Sequence, residues 1–494
     1  MKNESFVAIY KMDNGEYPGS RDQYRPSVRY PEYPFEELAG QYNPVYEAVR
    51  NALYLMGYDK ENYGETGWNP LRTLIKPGDF VLIKPNWVLE KNHNIGGGTQ
   101  CLYTQPDVVA AVIDYVVIAL DGSGKIVVGD APMQSCDFNR LIEESGYKIL
   151  LDYYRKKGIN IELVDFRGLS SVDSHGVRIE KIDNSAEGVV VDLGKASEFY
   201  GLERQDTERL RVTCYDPRVL PTHHNGEVQE YFISKYVLGA DVVINMPKPK
   251  THRKAGVTIA LKNLVGINVR KEYLPHHTKG SVRQGGDEYE KTCWLKSVQS
   301  KIYDKKNIYE SERKYFRAKI MWMGIGITAR FLRFEHNKTS EGSWYGNRTI
   351  SRTITDLNKI LYYTDKQGKL EDTVQRRVLI IADMVIAGEG DGPIAPVPKE
   401  VGIIAIGENP LAFDKAVCTL MGMDINRIPT FGCVTEVKEE YPALVCDGSV
   451  YLKSNVEGYN NKNIVEIEKG LLYTFEAAPG WKSHIERTEV DGER

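Results

Sequence analysis

Cysteine is scarce and scattered in this 494-residue chain: seven are spread from Cys101 to Cys446, with no C-x-x-C pair among them. That excludes a disulfide framework, a structural zinc site and an iron–sulfur run, and points to reduced thiols in a cytoplasmic protein. Long apolar runs are missing too. The best, Val108–Leu120, is interrupted by Asp114 and falls short of the ~18 residues a spanning helix needs. The opening residues lack the apolar stretch of a secretory signal, so neither export nor a membrane role is expected. No charge sign dominates: 64 Lys and Arg against 68 Asp and Glu leave a net −4. That balance argues against bulk binding to nucleic acid or to acidic membranes. Phenylalanine is sparse beside tyrosine, 13 against 31, so many aromatic positions carry a hydroxyl suited to a wet cleft.

With 41% apolar and 27% charged residues, the composition is that of a soluble globular protein large enough for sizeable cores. Residues 1–75, rich in Tyr and Pro with one helical stretch near Val45–Leu55, read as an extension wrapped on the surface. From Lys76 the pattern becomes regular. Short apolar strands at Phe80–Ile83, Lys125–Gly129 and Asn160–Val164 alternate with helices at Pro106–Leu120 and Asp137–Lys157, the signature of a parallel sheet. Residues 166–228 are polar and irregular. A helix at Gln229–Leu238 precedes a buried strand at Asp241–Asn245. A long helix over Lys301–Phe334, broken near Gly324, and another at Ser351–Tyr363 lead to strands at Val378–Ile381 and Val401–Ile406 and a helix at Leu411–Leu420. The expected fold is α/β, a mainly parallel sheet with flanking helices. It is divided into an α/β lobe at 76–275, a second at 276–436 with a cleft between them, and a tail at 437–494 packed on the core.

In open α/β sheets, ligands bind beyond the carboxyl ends of the strands. Polar residues gather at four such ends: Lys84 and Asn86; Asp130; Lys248, Lys250 and His252; and Glu389 and Asp391. Any one of these reads more readily as a solvated loop residue or a helix cap than as part of a site, whereas four together shift the balance towards a site. The densest segment, Lys248–Lys271, carries seven Lys and Arg and no Asp or Glu. This suits a phosphate or carboxylate better than nucleic acid, since no stacking aromatics are interleaved. Lys262 lies among Val257–Leu261, Leu264 and Val265. It is either a lysine of lowered pKa that acts as nucleophile or cofactor anchor, or one whose head snorkels to solvent. Asn263 beside it joins the candidate binding residues. His276 and His277 are adjacent, so one of the two at most is a metal ligand, a reading no strong zinc spacing supports.

Six stretches in order then give the chain a family likeness. They are Ile83–Asn86, Val128–Pro132, Asn245–His252, Ala260–Gly266, Glu389–Pro393 and Asn409–Asp414. With these it resembles the family called domain of unknown function 362 from about Lys76 to Met423. Some members of that family carry ferredoxin-type cysteine clusters; this chain has none, so no iron–sulfur cluster is expected. The His252–Lys262 stretch also looks like the lactate racemase superfamily. There a histidine is the acid/base, a lysine ten residues later anchors a nickel-pincer nucleotide, and a later histidine binds the metal. The resemblance implies His252, Lys262 and His276 or His277 in those roles, with a divalent metal or a lysine-linked organic cofactor. Where that superfamily has a second catalytic histidine, this chain has Asp130 as a substitute base.

Two functions follow as expectations. One is an enzyme moving a proton or hydride on a small anionic, hydroxylated substrate, racemase-like or redox, with His252, Lys262 and Asp130 catalytic. Lys84, Asn86, Lys248, Lys250, Asn263, Glu389 and Asp391 would then bind the substrate. The other is a non-catalytic protein that holds a nucleotide or cofactor in the same basic cleft.

Overall fold

A computed structural model describes residues 4–18, 24–334, 340–437 and 440–487. The chain begins inside the main sheet with β1 (Ser5–Lys11) and continues through β2 (Phe80–Pro85), β3 (Lys125–Asp130) and β4 (Ile161–Asp165). It then leaves for a peripheral segment. There β5 (Leu169–Ser174) pairs with β6 (Val177–Ile182), β7 (Gly188–Asp192) with β9 (Glu230–Ser234), and the two-residue β8 (Leu210–Arg211) with β13 (His277–Thr278). The sheet resumes with β10 (Val242–Met246), β11 (Lys250–His252), β12 (Gly256–Thr258), β14 (Arg377–Asp391), β15 (Ala395–Gly407) and β16 (Val450–Ser454). Its spatial order is β16-β1-β15-β14-β10-β2-β3-β4, with β11 and β12 joined alongside β14. The run β14-β10-β2-β3-β4 is parallel, and β15 is antiparallel to both its neighbours.

Helices cover both faces, which is why the central strands are apolar almost throughout. Alternation assigns each residue to a side. Val81, Ile83, Ile126, Val128, Val242 and Ile244 join one core, under the helices Pro44–Met56 and Pro106–Leu120. Leu82, Val127 and Val243 join the other, under Thr349–Tyr363 and Pro410–Leu420. The helix ends have local causes. Asn43 Oδ1 accepts the Tyr46 amide at 3.1 Å, and Gly57 closes that helix at φ 87°. Asn409 Oδ1 caps Pro410–Leu420 through the Ala412 amide at 2.8 Å.

The α/β fold and the parallel group Phe80–Ile83, Lys125–Gly129, Asn160–Val164 and Asp241–Asn245 are present as expected. Several details differ. The opening segment is not only a surface wrap, because Val7, Ala8 and Ile9 of β1 are buried between β15 and β16. Strands from 76–275 and 276–436 share one sheet through the β10–β14 pair, so the sheet runs across the expected division. Gln229–Leu238 is a strand, β9, followed by the short helix Lys235–Gly239, because Tyr231 and Ile233 pair with β7 and bury as a strand's alternate residues do. The helix over Asp137–Lys157 is broken at Gly146, whose φ of 94° suits glycine. The long helix breaks after Ser311, with Arg313 at φ 57°, and not at Gly324. Gly324 stays helical inside Tyr315–Phe334, where the packing of this helix on Trp294–Ser311 outweighs glycine's poor propensity.

Candidate functional site

A cavity of about 430 Å³ opens beyond the carboxyl ends of β2, β3 and β10. Its lining includes Asn86, Asp130, His252, Lys262, Asn263 and His276, all expected from sequence, and adds Arg178, Cys214, Arg253, Lys254, Lys271 and Glu341.

Asp130 ends β3 and is 1% exposed. Its Oδ1 accepts Lys84 Nζ at 2.8 Å and the Ala131 amide at 2.9 Å, and its Oδ2 accepts the Trp87 amide at 2.7 Å. Burial pushes the carboxyl up and the Lys84 ammonium down, while their attraction opposes both. A Cβ on Gly266 would sit 1.8 Å from Asp130 Oδ1, so only glycine lets the Ala260–Gly266 motif pass the pair. Lys84 is buried behind Asp130 and does not line the cavity.

A chain of donors fixes the adjoining wall. Lys250 Nζ donates to Asn86 Oδ1 at 2.6 Å and to the Leu102 carbonyl at 2.8 Å. Asn86 Nδ2 donates to Asn263 Oδ1 at 3.0 Å, Asn263 Nδ2 to Asn245 Oδ1 at 2.7 Å, and Asn245 Nδ2 to the Ala260 carbonyl at 3.0 Å. Each amide is thereby oriented by the next. Lys250 is fully buried behind Asn86, and burial together with Lys248 lowers its pKa to about 7.

His252 ends β11. Its Nδ1 accepts the backbone amides of Lys254 at 3.0 Å and Ala255 at 3.2 Å. An Nδ1 that accepts carries no proton, so the neutral ring has its N–H at Nε2. Burial and the positive charges of Lys262 and Lys254 hold the ring well below the usual imidazole range. His276 has the opposite tautomer. Its Nδ1 donates to the Leu274 carbonyl at 2.7 Å, which leaves the Nε2 lone pair free, and burial lowers its pKa to about 3. The cavity thus holds one imidazole with a donor at Nε2 and another with an acceptor there.

Lys262 is carried by the turn Ala260–Asn263. Asp414 of the helix Pro410–Leu420 anchors this turn by accepting the amides of Ala260 at 2.8 Å and Leu261 at 3.1 Å. The Lys262 amine has no hydrogen-bond or ion-pair partner among the described residues, and burial, then Lys271 and Lys84, lowers its pKa to about 7. Lys271 donates to the Ala131 and Pro132 carbonyls at 2.6 and 2.7 Å, and burial lowers its pKa to about 8. Lys254 donates to Thr213 Oγ1 at 2.8 Å and to the Glu341 carbonyl. None of these three lysines pairs with a carboxylate among the described residues, so the cavity carries an excess of positive charge.

The other expected residues sit elsewhere. Lys248 is buried in an ion pair with Asp383 at 3.0 Å and donates to Tyr17 Oη at 2.5 Å. Glu389 pairs with Lys399 and accepts the Glu476 amide, away from the cavity. Asp391 grips the Arg253 guanidinium, with Nη2 to Oδ2 at 2.6 Å, and so shapes the rim without lining it. His277 is buried behind His276. Among the described residues no three His, Cys, Asp or Glu side chains come together to hold a metal ion, and His252 Nδ1 is already engaged; the divalent-metal expectation does not fit. Arg178, Cys214 and Glu341 went unrecognised because they come from the polar segment and the loop after the helix pair. Nothing in their local sequence marks them.

The thylakoid-associated protein sll1697 of Synechocystis sp. is 30% identical over 192 residues, which cover 39% of this chain and 40% of that protein. The match therefore spans less than half the length of that relative. The family described as Domain of unknown function (DUF362) matches residues 81–192 and 182–419, and these contain β3, Asp130, His252, Lys262 and Asp414. The chain belongs to that family.

Proposed function

We propose that the protein is an enzyme that moves a proton on a small anionic, hydroxylated molecule held in this cavity. One observation carries the reading: a lysine amine with a pKa of about 7 lies without a partner among the described residues in the same cavity as two neutral imidazoles of opposite tautomer. The excess charge of Lys254, Lys262 and Lys271 favours a carboxylate or phosphate. A general acid and a general base are most effective with pKa values near the working pH, which burial and like charges give Lys262. His252 Nε2–H serves as donor to a substrate oxygen and His276 Nε2 as acceptor. Asp130, with three donors on its carboxylate, acts as a positioning residue that holds Trp87 and Lys84. An amine of this kind also attacks carbonyl groups, and Lys262→Arg separates the two roles, since arginine keeps the charge without the nucleophile.

The test of the substrate class is calorimetric titration with a panel of small 2-hydroxy carboxylates and their methyl esters. At least one acid should bind, with the ester and the Lys262→Ala protein each weaker by tenfold or more. Equal binding of acid and ester, or no acid bound at all, would overturn the reading.

A further inference from the structure

We propose that the helix Tyr315–Phe334 is a surface anchor that lies flat on an anionic lipid bilayer. Phe316, Ile320, Met323, Ile327 and Phe331 follow one another by four, three, four and four residues. At about 100° per residue they share one stripe roughly 80° wide. The stripe faces solvent: Phe316 is 80% exposed, Ile327 61% and Phe331 60%. On the opposite side Ala318, Thr328 and Leu332 are buried, and Thr328 Oγ1 accepts Gln299 Nε2 of the helix Trp294–Ser311 at 3.0 Å. The helix is therefore held to the protein by one face and leaves a continuous apolar one outward.

Charge identifies what covers it. Between Arg313 and Phe334 the sequence has six Lys and Arg and no Asp or Glu, in a chain of net −4. Arg317 flanks one edge of the stripe, and Lys319 and Arg330 flank the other, on the same angular reckoning. An apolar stripe between two cationic margins matches a bilayer surface, with acyl chains below and anionic headgroups at either side. Among the described residues no helix is long and apolar enough to cross a membrane, and lying in the interface requires no such length.

The experiment is cosedimentation of the full chain with vesicles of equal parts phosphatidylglycerol and phosphatidylcholine, and with vesicles of phosphatidylcholine alone. The protein should bind the mixed vesicles at low salt at least tenfold better than the neutral ones. Ile327→Ser with Phe331→Ser should abolish binding, and Arg317→Gln and Arg330→Gln should each weaken it about fivefold. All four positions face solvent, so the melting temperature of these variants should stay at the wild-type value. Absence of binding to the mixed vesicles, or binding unchanged in the serine double variant, would overturn the proposal. So would a dimer that this double variant dissociates, since a second copy would then be what covers the stripe.

Discussion

Acylation at neutral pH should find Lys262 before the surface lysines. At pH 7.5 an amine with a pKa of about 7 is roughly three-quarters neutral, while one at 10.5 is neutral in only about one part in a thousand. Only the neutral amine attacks, so Lys262 has an advantage of several hundredfold in reactive species. Its lower basicity and the narrow approach reduce that advantage without cancelling it. Lys250 is the internal control: its pKa is also about 7, but it is fully buried and donates to Asn86 and Leu102. The assay is substoichiometric acetic anhydride followed by peptide mapping. Lys262 should be labelled first, with a rate that levels off above pH 7 while surface lysines go on rising, and Lys250 should lag. Surface lysines labelled ahead of Lys262, or a Lys262 rate still rising at pH 9, would refute the reasoning.

Four further outcomes follow. Lys262→Met should stabilise the protein at pH 6 by about 1–3 kcal/mol, because it removes a desolvated charge without a carboxylate partner. The folded-state pKa lies below the unfolded one, so wild-type stability rises between about pH 7 and 10.5 and the variant's margin shrinks over that range; urea melts at pH 6 and 9.5 check both. Asp130→Asn should cost about 3–5 kcal/mol in the same melts by stranding the Lys84 ammonium, while Asp130→Asn with Lys84→Met, which removes that ammonium and keeps an acceptor for the Trp87 amide, should recover most of it. Asp414→Ala should cost about 2–5 kcal/mol, since two buried amides lose their acceptor, and should also slow Lys262 labelling as its turn loosens. His276 is held near 3 in the folded state, so wild-type stability should fall as pH drops from 6.5 towards 3; His276→Gln should lessen that slope in urea melts at pH 6.5 and 4.5.

The central sheet was legible because strands buried on both faces are apolar at every position, a signal that survives in one short window. β1 was missed since its burial depends on β15 and β16, the nearer of which lies almost 400 residues away. The helix break differs from the expected one because its turn uses Arg313 at positive φ, while Gly324, the expected breaker, stays within the helix. Within the site, His252, Lys262, Asp130, Asn86 and Asn263 follow strand ends or sit in the turn after β12, and the strand-end rule finds most of them. The sequence pattern assigns Lys84, Lys248 and Lys250 to substrate, whereas their partners are Asp130, Asp383 and Asn86. Sequence shows a lysine's position but not what its ammonium meets. The motif Asn409–Asp414 also had no visible purpose until Asn409 was seen to cap a helix and Asp414 to hold the turn of Lys262.

Proton movement itself can be read from deuterium uptake. The wild-type protein, incubated in D₂O with each 2-hydroxy carboxylate it binds, should exchange the C2 hydrogen of at least one of them, as seen by mass spectrometry. His252→Ala should keep binding within about tenfold and lose the exchange. Binding without exchange in the wild type, or exchange undiminished in His252→Ala and Lys262→Ala, would contradict the account and leave a cavity that holds its ligand without acting on it.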